Sequence, residues 1–187
     1  KVIEMHLSID PSKVIFVDHH IGHAAYGYFA SNVPSKDCLV LTLDAFGDFR
    51  NYTAHIFSKD TENNLITAKE VVSGNNFIVG RLYRYITLIL NMKPNEHEYK
   101  VMGLAPYGEP KYANLIKDHL IDIKEDGSFA LDMSYFNYCT GLTMTSKKFN
   151  DLFGGSPRQP ESEITQKEMD LAASIQEVTT EVIIKLA

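Results

Sequence analysis

Apolar and polar positions alternate with different periods along this chain, and each change of period marks a predicted element. Residues 1–13 read as a helix or loop. They lead into the unbroken apolar run Val14-Ile15-Phe16-Val17, which predicts a short buried strand ending at Asp18. Ala24, Ala25, Tyr26 and Phe29 follow and predict a helix over about 19–30. Ser31 to Asp37, with Pro34, reads as a loop. Three strand-like runs come next. Cys38 to Asp44 is mostly apolar, as a central buried strand would be. Tyr52 to Phe57 is rich in β formers, and Leu65 to Val72 is the third run. Turns at Ala45 to Asn51 and Thr61 to Asn64 join them into an antiparallel meander.

The second part of the chain changes to helical spacing. Gly80 opens a helix whose apolar positions are Leu82, Tyr85, Ile86, Ile89 and Leu90, and Pro94 bounds it. Residues 95–110 carry charged and small residues around Met102 to Gly108, and residues 111–120 look helical. Asp126-Gly127 separates Ile121-Asp122-Ile123 from Ser128-Phe129-Ala130-Leu131, which predicts a hairpin. Gly154 to Pro160 is the clearest loop. Thr165 and Glu168 are spaced as a capping box, and Leu171, Ile175, Val178 and Val182 form the apolar stripe of a last helix. There is no internal repeat and no low-complexity tract.

Composition narrows the class of protein. With 187 residues the chain can build one sizeable domain or two small lobes. Its 44% hydrophobic and 22% charged residues suit a soluble globular protein. It has no apolar run of membrane-spanning length, and its first residues lack the profile of a signal peptide. The formal net charge of −6, with no long basic cluster, argues against nucleic acid as the main partner. It leaves room for a local basic pocket. Cys38 and Cys139 form no CxxC pair and read as reduced thiols of a cytoplasmic protein. The first residue is not Met and the last lies within an apolar helical pattern, so the chain is expected to be a piece of a longer protein.

Candidate chemistry concentrates in three places. On a helix, His19 and His23 lie one turn apart and face the same way, a spacing at which two imidazoles grip one metal ion. The same spacing also fits an ordinary helix start with polar histidines. Asp44 ends a strand and reaches the sheet edge as a third ligand or serves as a turn residue. Two nitrogens and one oxygen suit Fe(II), Zn(II) or Mn(II), with positions left open for substrate. Asp18 is placed to orient an imidazole, and His20, about 100° round the helix, to hydrogen-bond a substrate. The Gly47 turn would let backbone amides approach a phosphate. Lys100, ahead of a glycine-containing turn, places a point charge on a phosphate or carboxylate or belongs to a solvated stretch.

Taken together, these segments resemble the NodU/CmcH-type carbamoyltransferases. The matching pieces are Val17-Asp18-His19-His20-Ile21-Gly22-His23-Ala24-Ala25 and Leu41-Thr42-Leu43-Asp44-Ala45-Phe46-Gly47-Asp48. They continue with Gly80-Arg81-Leu82-Tyr83 and Thr87, then Glu98-Tyr99-Lys100-Val101-Met102-Gly103-Leu104-Ala105-Pro106-Tyr107-Gly108. Asp170-Leu171-Ala172-Ala173-Ser174-Ile175-Gln176 is the last. The histidine pair is also similar to that of the tRNA threonylcarbamoyl-transferases and the hydrogenase-maturation carbamoyltransferases.

The resemblance implies an α/β fold of the actin/sugar-kinase/Hsp70 (ASKHA) type, here partial, with a β-meander, helices and an α+β insertion. Residues 1–35 would end a first lobe. Residues 36–187 would begin a second, with a family-specific insertion at about 80–160. The implied activity is transfer of a carbamoyl group from carbamoyl adenylate, made from carbamoyl phosphate and ATP, to a hydroxyl of a small-molecule or sugar acceptor. His19, His23 and Asp44 would hold a divalent metal, Fe(II) foremost, with Zn or Mn as alternatives. Asp44, Ala45, Phe46, Gly47 and Asp48 would bind the nucleotide, with Lys100 and His20 as catalytic candidates. The implied partners are the remaining lobe and a YrdC-like domain that makes the adenylate; no nucleic acid and no membrane are expected. The family's N-terminal strands, glycine-rich GGVALN-like stretch, later metal-binding aspartate and YrdC-like domain are not found in these residues, and Asp44-Ala45 stands where members often show Asp-Gly. By itself the chain is therefore expected to bind metal weakly and to transfer no carbamoyl group. Two other readings compete: a related ASKHA enzyme acting on tRNA or a maturation protein, and a non-catalytic metal- or nucleotide-binding module.

Overall fold

The meander between residues 37 and 74 forms a three-stranded antiparallel sheet of order β1-β2-β3. The strands are β1 (Asp37–Gly47), β2 (Arg50–Asp60) and β3 (Leu65–Gly74). The computed structural model describes residues 2–32, 37–60, 62–139 and 141–187, and the side chains from residue 5 onward. Positions 33–36 of the expected loop and Thr61 of the expected turn lie outside the described residues. The chain divides into two compact units, Lys1–Asn76 and Phe77–Ala187.

In the first unit, α1 (Val2–Leu7) and a 3₁₀ turn at Pro11–Lys13 precede α2 (His19–Ala30). Asp18 caps α2, its carboxylate accepting from the Ile21 amide at 3.0 Å and satisfying one of the helix's orphan donors. The two-residue period of the strands selects the face that α2 covers. Val40 opposes His55 and Thr42 opposes Thr53 on β1 and β2, so these four side chains share one face with Phe57. Helix positions 20, 24, 27 and 28 lie over it. His20 and Ala24 are fully buried, Gly27 lies beside Val40, and the Tyr28 ring stacks on Phe57 at 4.7 Å.

Two expectations are corrected here. Val14–Val17 forms no strand, and Ile15 and Phe16 are more than four-fifths exposed. A strand needs a neighbour to take up its amides and carbonyls, and none among the described residues pairs with it. Apolar content alone did not supply one. Second, β1 is an edge strand and β2 the central one, because a meander places its middle strand between the other two. Leu39 and Leu43 of β1 lie on the face opposite to α2 and are exposed, as is Ile56 of β2 beside them, while Phe57 on the covered face is buried.

The second unit holds α3 (Val79–Ile89), α4 (Glu98–Leu104), α5 (Ala113–His119), a hairpin of β4 (Ile121–Ile123) and β5 (Phe129–Leu131), α6 (Lys147–Leu152) and α7 (Gln166–Leu186). The stripes expected on α3 and α7 are all buried, and with Ile116, Leu120, Phe149 and Phe153 they form one core. Each such side chain contributes about 1.5–3 kcal/mol by leaving water. This packing, rather than helix propensity, holds α7 in place. The capping box is present, Glu168 accepting from the Thr165 amide at 2.8 Å. The Met102–Gly108 segment is fastened to α7 by a buried carboxylate. Asp170 accepts from the Glu109 amide at 2.9 Å, Lys111 at 2.8 Å and Gln166 at 2.8 Å. Gly108 lies so close to α7 that a Cβ there would overlap the Met169 carbonyl. The antiparallel sheets and helices make a mixed α and β architecture, compatible with an α/β protein. No helix among the described residues is long and apolar enough to cross a membrane.

Candidate metal centre

Beyond Thr42, the next side chain on the covered face of β1 is Asp44. Its carboxylate meets the two histidines that project from the flank of α2. His19 Nε2 contacts Asp44 Oδ2, His23 Nε2 lies 3.4 Å from the same oxygen, and the two imidazole nitrogens are 3.0 Å apart. All the ligand atoms fall within 4.8 Å of one another. Among the described residues this is the one group of three such side chains that converges so closely. Donors about 2.0–2.1 Å from a tetrahedral ion stand about 3.3 Å apart, near the His23–Asp44 and His19–His23 spacings, while His19 and Asp44 are in direct contact. The donor chemistry fits too. Two imidazole nitrogens and a carboxylate oxygen aimed at one point are a donor set that a divalent cation takes together.

Electrostatics point the same way. The His19 ring and then the Ala45 amide, at 2.7 Å from Oδ1, hold the Asp44 carboxyl below the usual carboxylate range. Asp44 is thus an anion over a wider pH range than an ordinary aspartate, the form a cation requires.

The local backbone explains why three residues distant in sequence meet. β1 does not stop at Asp44 as expected but continues to Gly47, with a register irregularity between Leu43 and Gly47. A bulge of this kind re-aims side chains at a strand's end. The chain reverses at Asp48-Phe49, both with positive φ, and Gly47 pairs with Arg50. This is the geometry of a two-residue hairpin. Gly47 therefore lies in a strand rather than a turn. What requires glycine there is the His19 ring, which a Cβ would overlap. Asp48 in turn accepts from the His19 amide at 2.7 Å, tying the hairpin to the first residue of α2.

The other candidates are placed as follows. His20 is fully buried; its Nε2 donates to the Arg50 carbonyl at 3.1 Å and its Nδ1 is 2.7 Å from the Thr42 hydroxyl. With both ring nitrogens engaged inside the fold, the geometry supports a role in seating α2 rather than the expected substrate contact. Of the nucleotide-binding candidates Ala45 to Asp48, the Ala45 amide is turned to Asp44 and Phe46 is exposed. Lys100 lies in the second unit on α4, exposed, with Nζ 3.1 Å from His97 Nε2.

Several participants went unrecognised in the sequence. Arg50 is paired with Asp18 and, at 2.5 Å, with Glu70 on β3. Thr42, Thr53 and His55 continue inward from His20, at 2.7 Å and 3.1 Å. In the neutral His20 ring, Nε2 carries the proton because a carbonyl only accepts. Nδ1 then accepts from Thr42, Thr42 from Thr53, and Thr53 from His55. The sequence carried no signal for this chain of contacts: a two-residue hairpin closed by Gly47 and Arg50 would by itself set Thr42 opposite His55, and the irregularity between Leu43 and Gly47 shifts the register so that Thr42 meets Thr53.

Fold and site together meet a family profile. The chain belongs to the family described as the carbamoyltransferase N-terminus, whose profile matches residues 4–187. Among curated relatives, it is 48% identical over 177 residues to the uncharacterized protein sll1178 of Synechocystis, covering 95% of this chain and 28% of that one. It is 28% identical over 180 residues to the nodulation protein NolNO of Sinorhizobium fredii, covering 96% of this chain and 24% of that one. It is 33% identical over 115 residues to the uncharacterized protein MJ1058 of Methanocaldococcus jannaschii, covering 56% and 19%. The chain thus spans about a quarter of the length of the first two.

Proposed function

We propose that the chain carries part of the transfer centre of a metal-dependent carbamoyltransferase, acting on a hydroxyl of a small-molecule or sugar acceptor with carbamoyl adenylate as donor. The observation that carries this reading is the convergence of His19, His23 and Asp44 in a chain of the carbamoyltransferase N-terminus family. In this proposal the three side chains hold one divalent cation, Fe(II) or alternatively Zn or Mn. When bound, the cation supplies Lewis-acid polarisation of the carbamoyl carbonyl and a template for the acceptor.

The chain's own residues do the rest. Asp44, kept anionic by His19 and the Ala45 amide, supplies the negative charge of the ligand set. Gly47 gives the His19 ring its place, and Asp48 fixes the helix end that carries it. The Ala45–Asp48 segment borders the centre and is assigned to the nucleotide phosphate. Lys100 is assigned to charge on the phosphate or carbamoyl group. In the same proposal, residues 1–35 close one ASKHA lobe and residues 36–187 open the second, with an insertion near 80–160. ATP and carbamoyl phosphate are the adenylate's sources, and a YrdC-like domain forms it.

The test is carbamoyl transfer by the complete protein. Replacing both His19 and His23 with Ala is expected to lower transfer by about 10³-fold or more, because the cation's polarising role is lost entirely. Transfer within tenfold of the wild type in that double variant would refute the assignment.

A further inference from the structure

We infer that Arg50 is a positioning residue for the His19–His23–Asp44 centre, acting as a clamp between the N-terminus of α2 and the sheet; the inference rests on the metal reading above. Its guanidinium touches none of the three ligand atoms. One arm, Nη2, is paired with Asp18, and the other, Nη1, donates to Glu70 Oε2 at 2.5 Å. Asp18 is the residue immediately before His19 and caps the helix, its other oxygen accepting from the Ile21 amide. Glu70 is itself held by the Ser73 hydroxyl at 2.7 Å. Arg50 is also the hairpin partner of Gly47, the residue against which the His19 ring is seated.

The geometry gives this residue type a reason. A planar guanidinium engages two carboxylates on two different elements at once, which a single ammonium head cannot match. The clamp decides how far α2 stands from β1, and hence whether two imidazoles reach one oxygen of Asp44. The Arg50 carbonyl, which accepts from His20, is backbone and survives any substitution. The side chain alone is therefore under test. Its carboxylate partners are about two-fifths exposed, so the pairs add little to global stability. Groups that orient metal ligands, by contrast, typically govern metal affinity by about 10–100-fold. Loss of affinity without loss of stability is the signature of a clamp.

The experiment is a Co(II) titration of the 187-residue chain, read by visible absorption, with urea unfolding alongside. The wild type is compared with Arg50→Met, Arg50→Lys and Asp44→Asn. Arg50→Met is expected to weaken Co(II) binding about 10–100-fold with a urea midpoint near the wild type's, and Arg50→Lys to fall between the two. Affinity of Arg50→Met within threefold of the wild type would overturn the clamp while leaving the metal centre standing. Should Arg50→Met fail to fold, Arg50→Lys decides: a loss of threefold or more supports the clamp, and wild-type affinity overturns it. A wild type that binds no Co(II), or an Asp44→Asn variant that binds it equally well, removes the metal reading and the clamp with it.

Discussion

The histidines at positions 19, 20 and 23 take different roles because a helix turns about 100° per residue. His20 faces the sheet and is buried between Thr42 and the Arg50 carbonyl, while His19 and His23 are left on the flank beside Asp44. The four-residue spacing of His19 and His23 was legible in the sequence, since it depends on helix geometry alone. The burial of His20 was not, because it depends on which face of α2 meets β1, and that follows from tertiary packing. Gly47 makes the same distinction. Read along the sequence it suggested a phosphate-binding turn, whereas in space it is the gap that admits the His19 ring. Gly47→Ala is accordingly expected to displace that ring and cost about 1–3 kcal/mol through overpacking. Histidine NMR shifts and a urea titration check this, and an unperturbed His19 resonance with an unchanged midpoint would contradict it.

At the level of elements, the stripes of α3 and α7, the capping box, the hairpin about Gly127 and the meander were all readable from period and turn chemistry. The failures share a cause. Val14–Val17 has the composition of a strand but no pairing partner, and β1 has the composition of a central strand but lies at an edge. Pairing and order are properties of the assembled sheet. Asp170 and Ser174, recognised only within a family resemblance, acquire a physical role as the fastening of Glu109, Lys111 and Tyr112 to α7. The Glu109 amide foremost, with Lys111 and Gln166, holds the Asp170 carboxyl at about 2. The folded-state value lies below the ordinary 3.8, so this group's contribution is fully present above about pH 4 and is lost as pH falls from there toward 2. Asp170→Asn should flatten the acid limb of the stability curve over that window, as measured by urea unfolding at stepped pH. An unchanged slope would count against the assignment. Gly108→Ala, which sets a methyl against the Met169 carbonyl, is expected to destabilise the second unit by about 2 kcal/mol or more, because neither backbone can yield.

For the molecule as a whole, the two units differ in how they are held. The second has a core drawn from α3, α5, α6 and α7. In the first, the buried hydrophobics among the described residues are Ala24, Ala54 and Phe57, and much of its interior is the polar chain from His20 to His55. A unit built around buried hydrogen bonds depends on each of those being satisfied, while the more exposed Arg50 pairs join helix, hairpin and third strand. The central claim is that this arrangement exists to hold a cation between two imidazoles and a carboxylate. Calorimetric titration of the chain with Zn(II), and anaerobically with Fe(II), tests it most directly. The account predicts binding of one equivalent by the wild type and its loss when His19 and His23 are both replaced by Ala. Undiminished binding by that variant, or none by the wild type, would contradict it.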